Sequence, residues 1–110
     1  MHNPGGEKGG AGLNKRIEGI NLSDAETKLI GRCLAYAREE EGWSQEKTAE
    51  KLQKIGYDVS RATLSQYETG HHKYDIDGLM MFCDVFDKPM NVLIDFEGLM
   101  KIRKEERRKE

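Results

Sequence analysis

The stretch SQEKTAEKLQKIGYDVSRATLSQYETG, Ser44 to Gly70, decides how this chain is read. Ser44 and Ser60 each precede a run with apolar residues at helical spacing, where a hydroxyl can accept an orphan amide of a first turn. Ala49 and Leu52 mark the inward side of the first run, Leu64 and Tyr67 that of the second. The spacing predicts two short helices, from Gln45 to about Lys54 and from Arg61 to Glu68, with Gly70 ending the second. Between them Gly56 breaks the periodicity, and Tyr57-Asp58-Val59 reads as a loop.

Outward from this pair, the flanks read as support. Ser23 and Glu26 form an S-x-x-E capping box, and Ile30, Leu34 and Ala37, with Cys33 alongside, give a helix from Asp24 to about Glu41. Gly42 supplies a left-handed cap and Trp43 should pack at the corner. Thr48 sits where a larger apolar residue is expected. After Gly70, His71-His72-Lys73-Tyr74 reads as a short polar loop, and Asp75 or Asp77 can cap a fourth helix. Its inward face is Leu79, Phe82, Cys83 and Phe86. Pro89 suits the first turn of a fifth helix, with Met90, Leu93 and Ile94 inward. Leu99, Met100 and Ile102 open one more helix, and the charges that follow should be solvated. The glycine-rich start buries nothing and reads as disordered. The expectation is an all-α chain: a disordered tail over residues 1–22, a compact five-helix domain over 23–96, and a charged C-terminal helical extension over 97–110.

At 110 residues this is one domain with tails. No apolar run approaches the roughly 18 residues that span a bilayer, and no secretory leader opens the chain, so a cytoplasmic location is expected. Cys33 and Cys83 lie at helical apolar positions and read as buried free thiols, not as a disulfide framework. Neither they nor His71, His72, Asp75 and Asp77 show metal-ligand spacing, and no nucleophile–base or phosphate-loop pattern occurs. No cofactor, metal or enzymatic activity is expected. Net charge is −2, with nine Lys/Arg against fourteen Asp/Glu over residues 24–96 and six against four from Glu97 onward. Any polyanion-binding surface must therefore be local.

A helix held across a second one can present a short polar face to the DNA major groove. The contact between the two needs a small residue, which Ala49 supplies, leaving Ser60, Arg61, Ala62, Ser65 and Gln66 outward. RxxxGWSQ from Arg38 to Gln45, Ala49, and SRATLSQYETG from Ser60 to Gly70 resemble the lambda-repressor/Cro-like helix-turn-helix family. The resemblance covers roughly Ile30 to Ile94. It implies base contacts from Ser60, Arg61, Ala62 and Gln66, a phosphate contact from Gln45, and an internal salt bridge between Arg38 and Glu68. Thr63 and Ser65 can add phosphate contacts, and Thr69, His71 and Lys73 extend them into the following loop. The seven-residue link Gln53–Val59 is longer than the family's tight turn, and the histidine-bearing loop replaces its more basic one. Protonating those histidines should raise DNA affinity as pH falls toward about 6.5.

The function implied is a sequence-specific transcriptional regulator of stand-alone Cro type: a repressor that binds double-stranded operator DNA as a homodimer. A second reading is a protein-interaction module, such as the antitoxin of a toxin–antitoxin pair that also binds its own promoter.

Overall fold

The computed structural model describes residues 21–108; the disorder expected of residues 1–20 lies outside them. Among the described residues there are six helices and no strand. They are α1 Asp24–Glu41, α2 Gln45–Lys54, α3 Arg61–Thr69, α4 Ile76–Phe86, α5 Met90–Leu93 and α6 Phe96–Arg108.

Local chemistry sets the boundaries. Ser23 Oγ accepts from the Glu26 amide while Glu26 Oε1 accepts from the Ser23 amide, which closes the capping box of α1. Ser44, Ser60 and Asp75 start α2, α3 and α4 in the same manner, accepting from the amides of Lys47, Thr63 and Gly78. Four helix ends share one closure, in which the chain turns through a left-handed residue and the next amide reaches back. Trp43, Tyr57, His71 and Lys88 donate to the carbonyls of Arg38, Leu52, Gln66 and Cys83. Glycine occupies the turning position at 42, 56 and 70, whereas after α4 it is Asp87, at φ 54°.

This closure explains the long link. Helix α2 ends at Lys54, Gly56 makes the left-handed turn, and the rest of the link is pinned. Val59 is buried in the core. Gln53 Nε2 donates to its carbonyl at 2.9 Å. The Tyr57 ring meets Phe82 edge-on, and its hydroxyl lies 2.8 Å from that of Tyr67. Burial, followed by that hydrogen bond, holds the Tyr57 hydroxyl well above its ordinary pKa.

The core sits among α1, α2, α3 and α4, with Leu34, Leu52, Leu64 and Phe82 removed from solvent. Trp43 stacks on Phe86 at 5.7 Å, closing the α1–α2 corner. The tightest approach is of α3 to α1. A Cβ added at Gly31 would lie 2.5 Å from the Glu68 carbonyl oxygen and 2.6 Å from that of Tyr67. Only a residue without a side chain lets the end of α3 sit there.

Several expectations change. Tyr74, read as part of a polar loop, is buried, and its hydroxyl donates to the Tyr67 carbonyl. Thr48 is fully buried, because its hydroxyl donates to the Ser44 carbonyl and leaves only a methyl to pack. Cys33 and Cys83 are half-buried free thiols. Pro89 stands one residue before α5, where its missing N–H costs nothing. Leu22, assigned to the tail, packs against the core. The C-terminal charges are not all solvated. Helix α6 lies on α1, where Arg103 Nε and Nη2 donate to Glu26 Oε2 and Oε1 at 2.8 and 2.9 Å. Glu26 is only 2% exposed, and the Arg103 guanidinium is the main reason its carboxyl stays below the ordinary 4.5.

Candidate nucleic-acid interface

Helix α3 is short and strongly two-sided. Leu64, Tyr67 and Glu68 are buried, while Ser60, Arg61, Ala62, Gln66 and Thr69 are exposed. Thr63 and Ser65 are half-buried at the edge between these faces. The loop after α3 carries exposed His71 and Lys73. From Ser60 to Tyr74 there is one carboxylate, Glu68, and it is turned inward. The exposed side of this stretch therefore carries no acidic group, inside an otherwise acidic domain.

Glu68 holds the arrangement together. Arg38 Nε donates to its Oε2 at 2.7 Å and Nη2 to its Oε1 at 3.1 Å, while Arg38 Nη1 donates to the Trp43 carbonyl. Both side chains are largely withdrawn from water, at 14% and 6% exposure. The pair ties the end of α1 to the end of α3, and the adjoining carboxylate raises the pKa of Arg38.

Gln45, at the start of α2, continues this network outward. Its Nε2 donates to Glu68 Oε1 at 3.0 Å, and its Oε1 accepts from Arg61 Nη1 at 3.2 Å. A carboxylate can only accept and a guanidinium can only donate, so one amide orientation satisfies both neighbours. A buried acid thus fixes Gln45, and Gln45 restrains Arg61. Gln45 and Arg61, expected from the sequence as independent contacts, are joined; residues 16 apart on different helices give no local signal of this bond.

The other candidates divide. Ser60 Oγ is engaged in the helix cap and with Thr63 Oγ1. Thr69 Oγ1 donates back to the Ser65 carbonyl and lies 2.9 Å from His71 Nδ1. His72 is drawn away from the polar edge, its ring 4.2 Å from that of Tyr67 and its Nδ1 donating to the Lys73 carbonyl. Lys73 carries the loop's permanent charge. The sequence reading also gave Ala49 the role of the small contact residue. Ala49 is buried on α2, and a second small residue, Gly31, admits α3 against α1. Among the described residues no cluster of side chains could hold a metal ion, and no helix is long and apolar enough to cross a membrane.

Two helices joined by a pinned link, the second presenting a polar edge free of exposed acid, define a helix-turn-helix DNA-binding domain. The helix-turn-helix family matches residues 34–93, more than half of the chain, and the chain belongs to this lambda-repressor/Cro-like family. Membership makes it a DNA-binding transcription regulator, not an enzyme, with double-stranded DNA as its partner. Two solved structures share the fold. The DNA-binding domain of BldD superposes with a TM-score of 0.59 at 22% identity, covering 66% of this chain and 99% of that one. The S. venezulae BldD DNA-binding domain gives 0.56 at 23% identity, covering 64% and 97%. Among curated proteins, none matches.

Proposed function

We propose that the chain is a repressor that binds operator DNA as a homodimer, with α3 in the major groove. The observation that carries this reading is the polar edge of α3, exposed along Ser60, Arg61, Ala62 and Gln66 while Leu64, Tyr67 and Glu68 anchor the opposite side. Arg61 can donate to guanine O6 and N7, Gln66 can take the N6 and N7 pair of adenine, and Ala62 can touch a thymine methyl. Ser60 adds a hydroxyl at the helix start. Gln45, Thr63, Ser65, Thr69, His71 and Lys73 form a rim for the phosphates on either side. With few positive charges in this rim, affinity should depend on salt less steeply than for a strongly basic domain.

Selection from random duplex DNA at low salt tests the reading, and recovery of no enriched sequence would end it. In the selected site, Arg61→Ala should cost about 1–3 kcal/mol and relax preference at one base position. Gln45→Ala should weaken binding to all sequences, through lost phosphate contact. It should also blur the position read by Arg61, since the restraint at 3.2 Å is gone.

A further inference from the structure

Two helices outside the helix-turn-helix pair carry outward stripes that no other element covers among the described residues. On α4, Ile76 and Met80 are 60% and 58% exposed, and Asp84 continues the row. On α6, Phe96 and Met100 are 47% and 56% exposed, and Lys104 continues that row. Both rows run at i, i+4 and i+8, which places their members on one helix face. The rims are opposite in sign. Helix α4 contains no Lys or Arg, and Asp77, Asp84 and Asp87 carry the charge around its stripe. Phe96 and Met100 line a shallow depression with Lys101 and Lys104, where Glu97 is the one acid. Arg103 lies on the other side of α6, committed to Glu26.

Single exposed apolar residues are ordinary. Two pairs with the same spacing and opposite rims are complementary. Laid parallel, the stripes bring Ile76 to Phe96, Met80 to Met100, and Asp84 to Lys104. Each stripe therefore finds its match in another copy of the same sequence. We propose that a second copy of this chain docks its α6 stripe on the α4 stripe of the first, and that the contact is made twice in a reciprocal pair. One helix-on-helix contact is small beside the roughly 1,200–2,000 Å² of a stable interface. A two-fold pair repeats the contact and closes the assembly at two copies. This inference rests on the homodimer reading above and gives that dimer a surface.

Sedimentation equilibrium of the full chain without DNA tests it. The wild type should reach a dimer mass. Met80→Lys and Met100→Glu should each raise the dimer Kd by about tenfold or more, because each pair loses apolar contact at two places. Asp84→Lys and Lys104→Asp should each weaken the dimer, and the chain carrying both should recover to within about threefold of wild type, as expected for directly coupled sites. All four side chains are exposed, so helical circular dichroism should be retained. A wild type that stays monomeric overturns both this interface and the homodimer. A dimer indifferent to Met80→Lys and Met100→Glu overturns this interface alone. Association past two copies overturns the reciprocal closure.

Discussion

The two ends of α1 carry the same chemistry in different surroundings. At its C-terminal end Arg38 holds Glu68, and both side chains are nearly removed from water. At its N-terminal end Glu26 holds Arg103, and the arginine remains 54% exposed. The first pair joins α1 to α3 inside the region that defines the family. The second joins α1 to α6, which lies beyond residues 34–93. A closed pair fixes the position of what it holds, because losing either partner strands a charge in a poor solvent. A half-open pair can let go, since water takes over one of the two ions. The molecule thus has one enclosed pair and one half-open pair on a single supporting helix.

That contrast can be broken by substitution. Glu68→Ala should have the largest effect, about 3–5 kcal/mol in urea unfolding, because Arg38 is left buried and Gln45 loses its anchor. Near-native stability would mean that the head is not locked by this pair. Glu26→Ala should cost less, about 1–3 kcal/mol, through the lost capping box and the lost hold on α6.

Acid should test the Glu26 end without any substitution. Glu26 has a folded pKa depressed below the ordinary 4.5. Its contribution is therefore fully present above 4.5 and is lost as pH falls through the depressed value. Amide exchange in α6 should accelerate over that acid window in wild type. The exchange of a Glu26→Gln chain should show no such window for α6. Arg103→Lys should be mildest, below about 1 kcal/mol, because the charge survives in a mostly solvated setting and only the two-pronged geometry is lost.

The same contrast separates what could be read in the sequence from what could not. Arg38 and Glu68 stand in a recognisable frame, RxxxGWSQ and SRATLSQYETG, so their pairing was an expectation of the resemblance. Glu26 and Arg103 are 77 residues apart, and no local spacing links them. Glu26 was legible only as a capping residue, a role that it does fill. The helix starts were plain because serine and aspartate caps act within three residues. Tyr74 was misread because an aromatic after two histidines and a lysine looks exposed. Its burial depends on a carbonyl at the end of α3 that only the folded chain brings near. Gly31 gave no signal for a related reason, since a glycine inside an otherwise regular helix reveals its purpose only when α3 is seen against it.

The bond from Glu68 to Gln45 also bears on what the reading head loses when it docks. A free glutamine side chain samples many rotamers, and ordering it costs up to about 1.5–2 kcal/mol of conformational entropy. Here that ordering occurs when the chain folds, because one N–H of Gln45 is given to Glu68 and its carbonyl is taken by Arg61. Among the described residues its second N–H has no acceptor. A phosphate oxygen arriving there would meet a donor already aimed and would break no existing bond. Disorder that association would otherwise have to remove is already gone before DNA arrives.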